Sequence, residues 1–209
     1  MNRSPSFAGV ILAAGESSRM GRDKALLPWP PQSSGSVVKD TFLSAAIRSL
    51  ALSSDFIVVV AGKNEQALAA VAYSNGASIV TNPDPSRGQF SSLQTGLHDV
   101  LNHGRDAALI TLVDRPPART ATVEMLRLAF ETAPPNIWAV VPEFSGRHGH
   151  PLVVGRELIE VFLQAPATAS ARDLQRLHRE RIQYVAVDDP CVSININTPE
   201  DYAGLAAPK

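Results

Sequence analysis

Three stretches of this chain carry residue types at spacings suited to phosphate and metal chemistry. The first is Ala14-Gly15-Glu16-Ser17-Ser18-Arg19-Met20-Gly21-Arg22-Asp23-Lys24, directly after the apolar run Gly9-Val10-Ile11-Leu12-Ala13. Small residues let backbone N–H groups approach a ligand, and consecutive exposed N–H groups make an anion-binding nest. Gly15 and Gly21 are expected to take backbone angles closed to other residues. Arg19 and Lys24 add fixed positive charge for phosphate. No Gly-Lys-Ser/Thr ends the loop, and its glycine spacing differs from the dinucleotide fingerprint, so it is neither of those phosphate loops. The second stretch is Leu112-Val113-Asp114-Arg115-Pro116. A carboxylate at the end of an apolar run is well placed for Mg²⁺, which takes one or two protein carboxylates plus phosphates and waters. Arg115 beside it can reach an anionic group. The third is Ser91-Ser92, whose hydroxyls can cap a helix start that favours a phosphate or a base edge.

Weaker signals surround these. His148 and His150 are two apart and would share a face of a strand, but no carboxylate or cysteine at ligand spacing makes them a metal pair. Cys191 is the only cysteine, so it forms no internal disulfide, and a small packed residue is its expected role.

The elements that must position these residues follow from hydrophobic patterning. Apolar runs at 9–13, 56–60, 77–80, 107–113, 137–141, 152–154 and 182–187 read as strands, mostly too continuous to be half-exposed. Amphipathic stretches at 41–52, 64–73, 91–101, 123–130 and 158–163 read as helices between them. Thr198-Pro199-Glu200-Asp201 is a helix start, with Thr as N-cap and Pro in the first turn. The alternation predicts a single-domain, doubly wound α/β fold over 1–209 with a mostly parallel, mixed sheet. Such sheets bind ligands beyond the carboxyl ends of their strands, which directs attention to the loops after Ala13, Val80 and Val113. Trp29 to Gly35, rich in Pro, Ser and Gly, is expected to be a surface loop.

Composition narrows the function. The chain has 209 residues, 44% hydrophobic and 19% charged, with a formal net charge of −1. That excludes a global basic field for nucleic acid but leaves room for local charge toward small anionic metabolites. The polar stretch Met1 to Phe7 lacks a signal-peptide core and no apolar run spans a bilayer, so no membrane partner and a cytoplasmic location are expected.

Leu12-Ala13-Ala14-Gly15, Ser18-Arg19-Met20-Gly21, Lys24 and Leu26-Leu27-Pro28 together resemble the sugar- and cofactor-nucleotidyltransferase superfamily, and within it the MobA-like group of molybdenum cofactor cytidylyl- and guanylyltransferases. Asn82-Pro83, Gly88-Gln89, Ser91-Ser92-Leu93 and Gly96-Leu97 resemble the second nucleotide-contacting segment of that family. The resemblance implies a Rossmann-like nucleotide-diphospho-sugar transferase fold. It places nucleotide contacts at Leu12, Ala13, Ala14, Gly15, Arg19, Lys24, Ser91 and Ser92, and the metal at Asp114. Asn195 is the implied second ligand, with Asn197 as rival, because Asn195-Ile196-Asn197 stands where many relatives have Asp-Ile-Asp. Gly149-His150-Pro151 and Ser170-Ala171-Arg172 resemble segments beside the acceptor site, which makes His150 and Arg172 acceptor residues; Arg115, just after the implied metal aspartate, is placed to reach the acceptor's phosphate. Arg115, Pro117 and Ser170 depart from the family pattern.

The implied reaction is Mg²⁺-dependent transfer of a nucleotidyl group from a nucleoside triphosphate, CTP favoured, to a small phosphorylated acceptor such as molybdopterin, with Arg19, Lys24 and Asp114 as catalytic residues. Two other classes stay open. One is a nucleotide-binding sensor or chaperone without turnover, separable by pyrophosphate release. The other is a nucleotide-sugar-dependent glycosyltransferase, which the Arg19/Lys24 loop argues against.

Overall fold

The computed structural model describes residues 4–17, 20–31, 40–166 and 168–205. Its centre is an eight-stranded mixed sheet. β1 (Phe7–Leu12) lies between β2 (Phe56–Ala61) and β4 (Ala107–Leu112), with β3 (Ser78–Thr81) outside β2, all parallel. Beyond β4 comes β7 (Leu152–Gly155), antiparallel to both β4 and β5 (Ala139–Phe144). β8 (Ile182–Ala186) adds to β5 in parallel, and β6 (Arg147–His148) folds back on the end of β5 as a hairpin.

Strand residues alternate between two covered faces. Ile11, Val59, Leu109 and Val153 pack with Leu43, Ile47 and Leu50 of α1 (Phe42–Ala51), Leu68 of α2 (Glu65–Ser74) and Val123 and Leu126 of α4 (Thr120–Glu131). Val10, Leu12, Ile110, Val141 and Leu152 face the other way. They pack with Phe90, Leu93 and Leu97 of α3 (Gln89–Asn102) and Phe162 of α5 (Arg156–Gln164). Two covered faces explain why the strands read as continuous apolar runs. Among the described residues, no helix is long and apolar enough to cross a membrane.

The doubly wound mixed sheet matches the expectation, with three differences. β5 continues to Phe144, past the expected end at Val141. The strand runs on through Pro142, whose carbonyl accepts from Gly149 N at 2.9 Å and whose other side is held by β8. α3 begins at Gln89, and its N-cap is Gly88 at φ 94 with no side-chain cap bond, so Ser91 and Ser92 sit inside the first turn and do not cap it. His150 lies outside β6, in the turn before β7.

The short helix α6 (Ala171–Leu177) buries no residue, which left no apolar period to read, whereas α7 (Pro199–Gly204) starts as expected with Thr198 as N-cap and Pro199 in the first turn, and Asp201 completes a capping box. The expected surface loop at 29–35 falls partly outside the described residues. In its described part, Trp29 packs edge-on against Phe42 at 5.0 Å.

Candidate functional site

The loop leaving β1 is closed by side chains from outside it. Ser17 Oγ accepts from Lys24 N at 3.1 Å, and Met20 N donates to the Ser17 carbonyl at 2.9 Å. Asn64, just before α2, donates its amide to the Ala13 carbonyl at 2.9 Å and to Asp23 Oδ2 at 2.6 Å, while its Oδ1 accepts from Gly62 N at 3.0 Å. Asp23 also accepts from Ala25 N at 2.9 Å, which starts the 3₁₀ turn Lys24–Leu26. Ser17 at φ 49 and Gly21 at φ 66 take the left-handed conformation, and Gly15 does not. What Gly15 offers instead is room, since a Cβ there would meet no protein atom within 4 Å. Ser18 and Arg19 lie outside the described residues.

This loop forms one wall of a cavity of about 180 Å³ lined by Ala14, Gly15, Ser17, Lys24, Ser92 and Asp114, among others. The opposite wall is the segment between β3 and α3. Asn82 is 4% exposed and holds it, donating to Ser91 Oγ at 2.8 Å and Ser92 Oγ at 3.0 Å while accepting from Asp84 N at 3.0 Å. Ser91 also donates to the Gly88 carbonyl at 2.8 Å. Ser91 therefore braces the loop from behind, and only Ser92 lines the cavity. Ala13 likewise is buried beneath the loop rather than on its cavity side.

Asp114 stands at the carboxyl end of β4 in the same cavity. Its Oδ1 is buried with no hydrogen-bond partner. A buried carboxylate oxygen left unpaired is costly unless something binds it, and a hard divalent cation fits that need. Among the described residues no group of three or more His, Cys, Asp or Glu could enclose a metal, so an ion here depends on ligand oxygens from a substrate. Ile196 N donates to the Asp114 carbonyl at 2.7 Å, which ties the Asn195–Asn197 segment to this carboxylate. Asn195 is exposed and lines neither cavity; Asn197 donates its N–H to Asp201 at 2.8 Å.

Leu12, Gly88, Gln89 and Leu112 are shared with a second, larger cavity of about 990 Å³. Arg115, His150 and Arg172 all line it. Two bonds converge on the Val192 carbonyl, from His150 N at 2.9 Å and from Arg115 Nη1 at 3.1 Å. The approach is tight enough that a Cβ on Gly149 would lie 1.9 Å from that oxygen. Arg115 Nε and His150 Nδ1 are buried without partners. Burial, with the Arg115 charge beside it, pushes the His150 imidazole down to about 3, so the ring is neutral at physiological pH. Burial also lowers Arg115, against the opposing pull of Asp114. Val192 itself is held by Asp189, a fully buried carboxylate that accepts from Arg119 N at 2.8 Å, Thr122 Oγ1 at 2.9 Å and Cys191 N at 3.1 Å.

The two adjoining cavities are lined by nine of the sequence-derived residues, among them Ala14, Gly15, Lys24, Ser92 and Asp114 in the smaller and Arg115 and His150 in the larger. Arg172 closes the larger cavity from α6, and Leu12 floors both. Asn64 and Asp189 were not read from sequence, and Asn82, read as part of a nucleotide-contacting segment, instead braces that segment through Ser91 and Ser92. Asp189 sat within Asp188-Asp189-Pro190 without distinction.

A model of the MobA-like NTP transferase domain matches residues 9–184. The molybdenum cofactor cytidylyltransferase of Escherichia coli K12 is 27% identical over 200 residues, covering 92% of each chain. The nicotine blue oxidoreductase of Paenarthrobacter nicotinovorans is 33% identical over 170 residues, 79% of this chain and 76% of its own. In structure, Rv0371c from Mycobacterium tuberculosis H37Rv superposes with a TM-score of 0.78 at 24% identity over 96% and 97% of the two chains. A further structure of that protein is a complex with manganese.

Proposed function

The chain belongs to the MobA-like NTP transferase family, and we propose that it transfers a nucleoside monophosphate from a nucleoside triphosphate, CTP in the first instance, to the phosphate of a molybdopterin-type acceptor. The observation that carries this reading is that the two cavities adjoin through shared lining residues. A small pocket lined by Lys24, bare loop backbone and Asp114 shares Leu12, Gly88, Gln89 and Leu112 with a large pocket that Arg115 lines.

In this reading the acceptor phosphate oxygen attacks the α-phosphorus and pyrophosphate leaves. The acceptor is already an anion, so no protein base removes a proton, and the chain's task is positioning and charge neutralisation. Gly15 and its neighbours present backbone N–H groups to the triphosphate. Lys24 meets the leaving phosphates, and Arg19 is proposed to assist it. Arg115 Nε and His150 Nδ1, both without protein partners, hold the acceptor's phosphate end; His150 does so as a neutral ring. Asp114 would hold Mg²⁺, with Asn195 as the proposed second ligand, and the ion would supply positive charge at the α-phosphate when bound. The unpaired Asp114 Oδ1 supports that site, as does the manganese complex of a protein with this fold. CTP is chosen because the cytidylyltransferase aligns over 92% of both chains.

The test is pyrophosphate release from CTP, GTP, ATP and UTP, each with and without molybdopterin. Acceptor-dependent release from CTP is expected. Preference for another base overturns the base alone. The 33% identity to an oxidoreductase gives a second reading, electron transfer to a dye-like substrate. Absence of release with every triphosphate, together with reduction of nicotine blue at the expense of an added nicotinamide dinucleotide as electron donor, would replace the transferase reading.

A further inference from the structure

The larger cavity carries more positive charge than one phosphate requires. Its described lining includes five arginines, Arg87, Arg115, Arg172, Arg176 and Arg179, and no aspartate or glutamate, in a chain of formal net charge −1. A phosphate monoester brings about two negative charges. Arg172 and Arg176 stand four apart on one side of α6, and Arg179, in the turn that follows it, lines the same cavity. The contact from Arg176 to Asp173, at 3.9 Å and largely exposed, neutralises little of this.

The floor of the cavity has a direction. Leu12, Leu112, Ile110, Leu152, Val141 and Tyr184 line it from one face of the sheet. The register sets Ile110 beside Leu152, and Val141 beside Tyr184. From β4, which ends near Asp114, the strand order runs through β7 and β5 to β8. Three strand spacings of about 4.8 Å put Tyr184 roughly 14 Å from the β4 row. There the Tyr184 and His148 rings stack at 4.0 Å and 15°. His148 Nε2 is held by Glu143 at 3.2 Å, so the pair is braced, yet Tyr184 remains 44% exposed. A flat, half-exposed aromatic pair beside a cationic wall suits a planar, anionic ring.

We propose that this far end is a second acceptor subsite: the His148–Tyr184 stack receives a planar heteroaromatic ring, and Arg172, Arg176 and Arg179 receive a second anionic group. The acceptor is then an elongated aromatic molecule with anions at both ends. The assignment of the near end to the reacting phosphate rests on the transferase reading above; the ring and second-anion site rests on the cavity's own geometry.

The probes are pterin-6-carboxylate, which has a ring and an anion, and unsubstituted pterin, which has the ring alone, titrated by fluorescence against the full-length protein. Wild type is expected to bind the carboxylate more tightly, with affinity falling as salt rises. Tyr184→Leu should weaken it about tenfold, and Tyr184→Phe should restore it. An Arg176→Gln/Arg179→Gln variant should bind the two probes alike. Triphosphate affinity should be the same in all of these. Equal carboxylate binding by wild type and Tyr184→Leu, no binding of either probe, or a parallel loss of triphosphate affinity would each overturn the subsite. Normal probe behaviour without pyrophosphate release from any triphosphate would uphold the subsite and refute the transferase reading alone.

Discussion

Asn64 Nδ2 lies 2.6 Å from Asp23 Oδ2, 41 residues away in the chain, and the same amide nitrogen reaches the Ala13 carbonyl at 2.9 Å. One side chain thus ties the start of the β1 loop to its end. Asn64→Ala leaves a carboxylate and a carbonyl without their partner, a loss of about 1–3 kcal/mol when such groups are partly buried. The cost should appear chiefly as weaker triphosphate binding, because the loop it orders is the proposed phosphate cradle. Calorimetric titration with CTP checks this; wild-type affinity in the variant would show that the loop keeps its shape without Asn64.

Lys24 follows Asp23 into the 3₁₀ turn and lines the smaller cavity. If its ammonium meets triphosphate oxygens, Lys24→Ala should weaken substrate or transition-state binding by ~1.5–3 kcal/mol, the range for hydrogen bonds to charged groups. Steady-state kinetics with varied triphosphate separates the two. Unchanged KM together with unchanged kcat would remove Lys24 from the site.

Two glycines give opposite expectations. A Cβ on Gly149 would lie 1.9 Å from the Val192 carbonyl, and both neighbours are backbone, which cannot swing aside. Gly149→Ala should destabilise the protein by about 3 kcal/mol or more. A Cβ on Gly15 meets no protein atom, so Gly15→Ala should melt like wild type while binding triphosphate more weakly, because the new methyl projects into ligand space. Melting temperatures and triphosphate titrations of the two variants test both halves. A stable Gly149→Ala, or a Gly15→Ala with full affinity, contradicts this geometry.

The strands themselves and the site edge were legible because they depend on patterns local to the sequence. β1, β2 and β4 are uninterrupted apolar runs, and Asp114 ends one of them. What escaped was long-range pairing. Ser91 and Ser92 look like helix caps from sequence, but Asn82 holds both hydroxyls and Gly88 occupies the cap. Nothing near Asp189 in sequence says that it will be enclosed by Arg119, Thr122 and Cys191. The five-arginine cavity is assembled from three separate segments, at 87, 115 and 172–179, and each cation alone reads as a solvated surface residue.

His150 supplies a pH dependence of known sign. Its pKa falls from 6.5 to about 3, by burial first and the Arg115 charge second. The unfolded chain therefore binds the proton more readily between those values. The stability from a neutral His150 is present in full above pH 6.5 and is lost as pH falls toward about 3. Wild type should lose melting temperature on acidification from pH 7 to 4.5, and His150→Asn should show a flatter profile over that range. Asp201, whose pKa is lowered chiefly by the backbone N–H groups of Asn197 and Thr198, contributes its own loss only at lower pH, below the ordinary aspartate value. Parallel profiles for wild type and His150→Asn would mean that the ring takes up its proton in the folded protein.

Asp114 gives the sharpest test of the metal. Its buried Oδ1 has no protein partner, and among the described residues no group of three or more Asp, Glu, His or Cys could enclose an ion. A lone carboxylate binds Mg²⁺ weakly, since the ion prefers six oxygens and gives up its waters reluctantly. Triphosphate oxygens would complete the shell, so Mg²⁺ should bind poorly to the free protein and much better with CTP present. Asp114→Asn keeps the shape of the side chain and removes the charge. It should abolish most turnover while leaving the melting temperature near wild type, because the carboxylate oxygen it replaces makes no internal hydrogen bond. Asn195→Asp should be tolerated and should lower the Mg²⁺ concentration for half-maximal rate, since the segment that carries it is tied to the Asp114 carbonyl through Ile196 N at 2.7 Å. Turnover measured against Mg²⁺ for wild type and both variants decides the matter. Wild-type activity and metal dependence in Asp114→Asn would place the ion elsewhere, and an Asn195→Asp curve superimposable on wild type would remove Asn195 from its shell.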